Sequence, residues 1–196
     1  MNSVSFTDDK FLEEIDSYLK STLSPCRYSH SLSTARTCRQ LALRFGYDEK
    51  LAFLIGLVHD VAREYSDSDL IAWSYKDGMP VGPLYKASPM LLHGRAGAMV
   101  LKDKFGIEDH EILDAVRSHT TGTAGMSPLA KILFVADYIE PERKHITPEF
   151  LKSLEGKDLD SMVYAVLMGT LNHLASKGKS VAPEALDLKQ ELERAE

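Results

Sequence analysis

The segment from residue 51 to residue 64, LAFLIGLVHDVARE, constrains the possible fold more than any other part of the sequence. It predicts a buried helix whose apolar run ends in two adjacent polar residues, His59 and Asp60. An imidazole and a carboxylate are costly to bury unless each has a partner. A divalent cation would serve both groups, provided that other helices bring further ligands to the same place.

Helical periodicity and helix-end signals run along almost the whole chain. Apolar residues recur at helical spacing in residues 11–19, after the possible caps Thr7 and Asp8. We find no alternating strand pattern, so the predicted class is all-α. A loop that could fold over a substrate is predicted at residues 78–89, which hold three prolines and two glycines. Further helices are predicted at about 27–45, 48–64, 66–77, 91–105, 109–119, 127–139, 158–177 and 183–194.

The length of 196 residues fits one domain, with a core of about residues 10–178 and a C-terminal helical extension at 179–196. A net charge of −6 argues against binding to a nucleic acid polymer or an anionic membrane, but allows a small anionic ligand. The two cysteines, Cys26 and Cys38, form no disulfide framework. Without a visible signal peptide or an apolar run of transmembrane length, the expected location is cytoplasmic.

Four histidines and two aspartates are candidate metal ligands, and one of them, Asp137, interrupts the apolar run ILFVADYI at residues 132–139. Imidazole and carboxylate ligands suit iron, manganese, cobalt, nickel or zinc. Any one of these histidines alone could be a satisfied core residue, and Asp137 alone could be the buried partner of an arginine. Together they indicate a metal site. The six residues are His30, His59, Asp60, His93, His119 and Asp137.

The order of these residues, together with the sequence blocks around them, resembles the YqeK family of the HD superfamily of metal-dependent phosphohydrolases. The resemblance covers roughly residues 10–185. The blocks that carry it are RYSHS (27–31), HDVARE (59–64), LHGRAG (92–97), HTTG (119–122), GMSPL (125–129) and ADYIEPER (136–143).

This resemblance implies a single HD domain, built as a helical bundle with a metal site at its centre. It also implies a homodimer that binds iron and cuts diadenosine tetraphosphate symmetrically into two ADP. The expected reaction is attack of a metal-bound hydroxide on an inner phosphorus. His30, His59, Asp60 and Asp137 would be the metal ligands, and Asp60 or Asp137 could accept the proton of the attacking water.

The remaining site residues carried over from the resemblance concern the substrate. His93 and His119 would face the same cleft and could bind a second metal, although we favour contacts with the phosphates. Arg63, predicted as catalytic, stands where the family often has lysine, and either cation can meet a phosphate. The C-terminal block from residue 179 to 186 resembles the family only loosely. The predicted substrate-binding residues are Arg27, His30, Arg63, His93, His119, Thr120, Thr121, Arg143, Ser180 and Pro183.

Two kinds of alternative remain open on the sequence. The chain could be another HD nucleotide phosphohydrolase, such as a nucleotidase or a deoxynucleoside triphosphohydrolase; a cyclic-dinucleotide phosphodiesterase usually carries Gly-Tyr-Pro, which this sequence lacks. It could also be an HD fold that senses a nucleotide without catalysis, although all four primary ligand positions are filled. The preference between adenine and guanine cannot be derived from these residues.

Overall fold

A computed structural model of the chain describes residues 8–144 and 146–195, and this part of the chain forms eleven α-helices and no strand. The all-α prediction is therefore confirmed. The helices are α1 Asp9–Thr22, α2 Pro25–Phe45, α3 Glu49–Val58, α4 Asp67–Ser74, α5 Pro83–Ala87, α6 His93–Phe105, α7 His110–Ser118, α8 Pro128–Ile139, α9 Pro148–Ser153, α10 Leu159–Ser176 and α11 Pro183–Ala195.

Local capping chemistry explains most of the helix ends. The Asp48 carboxylate accepts hydrogen bonds from the backbone N–H groups of Lys50 and Leu51, at 2.8 and 2.9 Å, and so begins α3. Gly46 ends α2 at a φ of 75°, in the left-handed region that favours glycine. Asp8 caps α1 as predicted, while the alternative cap Thr7 lies outside the described residues.

The predicted helix over residues 51–64 is too long, because α3 ends at Val58. The cause is the imidazole of His59, whose Nδ1 donates a hydrogen bond to the Gly56 carbonyl at 2.7 Å. That carbonyl would accept the backbone N–H of Asp60 if the helix continued. The chain beyond His59 instead follows tight turns, with the Arg63 N–H bonded to the Asp60 carbonyl at 2.8 Å.

The segment predicted as a loop over residues 78–89 contains the short helix α5, and a 3₁₀ turn over Pro89–Leu92 follows it. Pro83 occupies the first turn of α5, where a missing N–H costs nothing. Buried Val81 packs with Leu70 and Leu92, so the segment is anchored to the rest of the fold.

The packing of helices around α2 and α3 brings the ends of several helices close to one another. Helix α2 packs against α3 and α8, while α7 packs against α6 and α8. Gly56 makes the close approach of α2 and α3 possible, because a Cβ there would lie 2.6 Å from the Cα of Ala35. In the described part of the chain, no helix combines the length and apolar character that a membrane span requires.

Candidate metal centre

The six candidate ligands, of which four were predicted as metal ligands, come together although they belong to five separate segments of the chain. We call these six residues the histidine–aspartate centre. All are buried except Asp137, whose side chain is 21% exposed. They are His30 on α2, His59 and Asp60 in the turn after α3, His93 at the start of α6, His119 just after α7, and Asp137 on α8.

One half of the centre, which we call the first position, lies between His30, His59, Asp60 and Asp137. The Nε2 atoms of His30 and His59 are 3.2 Å apart. They lie 3.0 and 3.6 Å from Oδ1 of Asp137. Each is also 3.7 Å from Oδ2 of Asp60. Four donor atoms therefore face a common point.

The other half, the second position, uses the opposite oxygen of the same aspartate. Oδ1 of Asp60 lies 3.2 Å from Nε2 of His93 and 3.8 Å from Nε2 of His119. The two histidine nitrogens are 3.0 Å apart. Asp60 therefore presents one carboxylate oxygen to each position.

In three of the histidines, a hydrogen bond on the side of the ring that faces away from the centre determines which ring nitrogen is free to bind a metal. A backbone carbonyl can only accept a hydrogen bond, so a ring nitrogen that contacts one must carry the proton. In the neutral form of each such ring, the Nε2 lone pair then points into the centre, as a metal ligand requires. The Nδ1 contacts are His59 with Gly56 O at 2.7 Å, His93 with Met90 O at 2.5 Å, and His119 with Val116 O at 2.7 Å.

The electrostatics of the centre require positive charge. Burial acts to raise the pKa of Asp60 and Asp137, but the surrounding histidines outweigh it and hold both carboxyl pKa values well below their usual range. Burial would likewise lower the pKa of His59, yet the two carboxylates raise it to about 9. A divalent cation among the same atoms would supply the positive charge that a proton on His59 otherwise provides.

The pKa of His119 is shifted in the opposite direction to that of His59. Burial, together with the neighbouring His93 and His59, lowers the pKa of His119 to about 3, so the ring is neutral. With its proton on Nδ1, its Nε2 can accept but cannot donate a hydrogen bond. A neutral ring with a free Nε2 is the form that binds a metal, whereas a hydrogen bond to a phosphate oxygen would require a proton on that nitrogen.

The donor set fits a divalent metal ion. Each of three overlapping groups of residues offers one ligand atom per residue, and within a group these atoms all lie within 4.8 Å of one another. Mixed imidazole and carboxylate ligands suit iron, manganese, cobalt, nickel and zinc, and none of the three groups includes a thiolate. The groups are His30, His59 and Asp60; His59, His119 and Asp137; and Asp60, His93 and His119.

Three half-buried arginines lie near the centre. Nη1 of Arg27 lies 3.7 Å from Oδ2 of Asp60. Arg143 donates from Nε to the Asp137 carbonyl at 2.8 Å, and its Nη2 contacts the Asp137 carboxylate. Nη1 of Arg63 contacts Sδ of Met90, whose backbone carbonyl accepts from His93.

Thr120 and Thr121 lie on the side of the second position. Oγ1 of Thr120 is 3.3 Å from Nε2 of His93 and 3.5 Å from Nε2 of His119. Thr121 lines a neighbouring cavity of about 620 Å³, which we call the side cavity. Other residues that line it include Met79, Tyr85, Arg117, Ser118, Met126 and Glu184.

Ser180 and Pro183 are both exposed, and neither is among the residues that line the side cavity. Pro183 begins α11, and the next residue, Glu184, does line it. The structure therefore brings the start of α11 to the cavity through a residue that the sequence reasoning did not select.

Glu140 is a second residue that the sequence reasoning missed. Its side chain is 1% exposed, and its Oε1 lies 3.0 Å from Nδ1 of His30. Its other oxygen, Oε2, accepts the backbone N–H of Glu142 at 2.7 Å. The available signal was an acidic residue directly after the apolar helix that carries Asp137.

Comparison with known proteins agrees with this geometry. The HD domain family matches residues 27–142, which include every member of the histidine–aspartate centre. This chain belongs to the HD-domain family. The resemblance inferred from the sequence blocks and the HD-domain fold are both confirmed.

Two curated relatives and one solved structure illustrate the similarity. The chain is 33% identical over 172 residues to a Bacillus subtilis protein named symmetrical bis(5′-nucleosyl)-tetraphosphatase, covering 88% of this chain and 92% of that protein. A Halalkalibacterium halodurans protein of the same name is 32% identical, with coverage of 86% and 89%. A crystal structure from Clostridium acetobutylicum, described as a predicted HD superfamily hydrolase involved in NAD metabolism, superposes with a TM-score of 0.89 at 31% identity, covering 94% of this chain and 98% of that one.

Proposed function

We propose that this protein is a metal-dependent hydrolase that cuts diadenosine tetraphosphate and related dinucleoside polyphosphates symmetrically into two nucleoside diphosphates. The observation that carries the proposal is the convergence of six histidine and aspartate side chains in an HD domain. The full-length similarity to two proteins named for this reaction supports the choice of substrate.

A divalent cation at the centre would supply a Lewis acid that lowers the pKa of water to about 7 and neutralises phosphate charge. His30, His59, Asp60 and Asp137 would hold it at the first position. We assign Asp60, His93 and His119 to a second cation, because their ligand atoms all lie within 4.8 Å of one another. Iron is the ion we propose, since the resemblance implies it and the donor set suits it.

In the proposed reaction, water adds to one inner phosphorus and the bridging oxygen leaves with the other inner phosphorus. Each product is a nucleoside diphosphate. We propose that Asp60 or Asp137, whose carboxylate oxygens border the first position, accepts the proton of the attacking water. In such transfers, positioning and neutralisation of phosphate charge matter more than covalent help from the protein.

We assign the positioning of the phosphates to the arginines and threonines around the centre. A guanidinium offers a planar fork that matches two phosphate oxygens. Arg27 and Arg143 lie against the first position, and Arg63 contacts Met90, whose carbonyl accepts from His93, so we propose that the three arginines together bind a chain of phosphates. The hydroxyls of Thr120 and Thr121 are further donors on the same side.

The side cavity is the place we propose for one nucleoside. A volume of about 620 Å³ lies in the range of roughly 300–1,000 Å³ of small-molecule pockets. The cavity begins beside the second position, at Ser118 and Thr121, so a nucleoside in it would be continuous with phosphates over the centre. Ser180 and Pro183 remain predicted contacts for the nucleotide end.

The test is an assay of the purified protein with diadenosine tetraphosphate and ferrous iron, before and after chelation. ADP as the sole product, lost on chelation and restored by iron, is the expected result. ATP plus AMP would contradict the symmetrical cut. In ¹⁸O-labelled water, one of each two ADP molecules should carry the label on its terminal phosphate.

A panel of nucleoside monophosphates and deoxynucleoside triphosphates tests the alternative HD reactions, which the names of the relatives do not favour. Nucleotide binding without turnover, in protein that contains metal, would indicate a sensor.

We also propose that the protein is a homodimer and that it is located in the cytoplasm. Light scattering after gel filtration tests the first, and fractionation of cells tests the second.

A further inference from the structure

We infer that the two cation positions of the centre differ in affinity, and that Glu140 makes the first position the tighter one by orienting and polarising His30. The inference rests on the proposed function, since it takes the centre to hold cations. It assigns to Glu140 a positioning role rather than contact with the reacting atoms.

The four imidazoles differ in their outer hydrogen-bond partners. Those of His59, His93 and His119 are neutral backbone carbonyls, each three residues back along the chain. Only His30 has a carboxylate partner, at 3.0 Å. A carboxylate behind a ligand histidine fixes the ring orientation and makes its free nitrogen a stronger donor than a carbonyl does.

The geometry around Glu140 shows that both of its oxygens are used. Oε1 faces Nδ1 of His30, and Oε2 accepts the N–H of Glu142 at 2.7 Å. A glutamine has one acceptor oxygen, so it cannot serve both partners. If its amide nitrogen faced His30, the ring would carry its proton on Nε2, and that nitrogen could no longer bind a metal.

The direct ligands act in the same direction. The first position faces oxygens of Asp60 and Asp137, with buried Glu140 behind His30, while the second faces one oxygen of Asp60. Nη2 of Arg143 contacts the Asp137 carboxylate and lies 3.3 Å from Nε2 of His30, and Nη1 of Arg27 lies 3.7 Å from Oδ2 of Asp60, so net charge does not rank the two positions. The ranking rests on two direct carboxylate ligands against one and on the carboxylate behind His30.

The experiment titrates Mn²⁺ into chelated, dialysed protein and follows free Mn²⁺ by electron paramagnetic resonance. The wild-type protein should bind two ions in resolved steps. Glu140→Gln should weaken the tighter step about 10–100-fold, the usual effect of losing such a partner. The weaker step should stay within about threefold, because Glu140 contacts no ligand of the second position.

Two further variants separate positioning from a general loss of structure. His93→Ala should remove the weaker step and preserve the tighter one, which keeps the inference testable if Glu140→Gln folds poorly. The matched control is Glu142→Gln: its exposed side chain accepts from Ser29 Oγ at 2.6 Å and contacts no ligand, so both steps should be unchanged. The Co²⁺ absorption spectrum should change with Glu140→Gln and not with Glu142→Gln.

The outcomes distinguish this inference from the function on which it rests. Equal affinities, a single bound ion, or equal weakening of both steps by Glu140→Gln would overturn the inference and leave the proposed reaction standing. Wild-type protein that binds no Mn²⁺, Co²⁺ or iron would overturn the proposed function itself.

Discussion

The histidine–aspartate centre and the side cavity are adjacent, but they are built in different ways. In the centre, five of the six residues are buried and every imidazole is fixed by an outer hydrogen bond. The side cavity has half-exposed walls, and the Tyr85 hydroxyl donates to Glu184 Oε2 at 2.6 Å from α5 to α11. The difference fits the proposed division of roles, in which the reaction takes place at the buried centre and the nucleoside is selected by the more exposed side cavity.

The largest expected effect is from Asp60→Ala, because Asp60 serves both cation positions. Loss of about 4 kcal/mol of transition-state stabilisation corresponds to a decrease in kcat of roughly a thousandfold. Metal content, measured by elemental analysis, should fall with it. Asp103→Ala, which removes only a surface pair with Lys76, is the control. Retention of both metal and turnover by Asp60→Ala would show that the ligand assignment is wrong.

A smaller effect is expected from substitutions of Arg63. Arg63→Ala should lower kcat/KM by about 10–100-fold, since a charge-assisted hydrogen bond contributes about 1.5–3 kcal/mol. Arg63→Lys keeps the positive charge and should lie within about fivefold of wild type. Steady-state kinetics measure both. Equal losses in the two variants would mean that the planar fork, rather than the charge, is required.

Gly122 connects the centre to the side cavity through the turn after His119. It has a φ of 69°, and a Cβ there would lie 2.5 Å from Cδ2 of buried Leu188 on α11. Gly122→Ala should lower the free energy of unfolding by about 1–2 kcal/mol from the backbone alone, and by more from the contact. It should also raise KM, because α11 would shift.

Gly125→Ala is the matched control for the effect on stability, although Gly125 also lines the side cavity. Gly125 has a similar φ of 73°, but a Cβ there would meet nothing within 4 Å. The two variants share the backbone cost, so urea denaturation of both isolates the contribution of Leu188. If both variants are equally destabilised and KM is unchanged in both, α11 does not contribute to the substrate site.

The smallest expected effect is from Tyr85→Phe. Burial and the Glu184 carboxylate both raise the pKa of Tyr85, so its hydroxyl stays protonated and can donate to Glu184. Losing this partly exposed hydrogen bond should raise KM about two- to fivefold, equivalent to roughly 0.5–1 kcal/mol, and leave kcat unchanged. Tyr75→Phe, at an exposed position, serves as the control. A change in kcat with constant KM would place Tyr85 in the chemistry instead.

The sequence by itself predicted the all-α class, most of the helices, several of their caps and the six candidate ligands. These features depend on residues close together in the chain, such as Asp48 and the N–H groups that it caps. The six ligands were recognisable because each polar group stands in an apolar or motif context, and their order matched a known family.

The tertiary structure decided what depends on distant parts of the chain. Only packing shows that one aspartate faces two positions, that Glu140 reaches His30 from 110 residues away, and that Glu184 lines the side cavity where Ser180 and Pro183 do not. The early end of α3 also needed the structure, because an imidazole had to turn back onto the Gly56 carbonyl. The physical reason is that local patterns determine which segments are helical, whereas the distances between side chains on separate helices follow from close packing of the core.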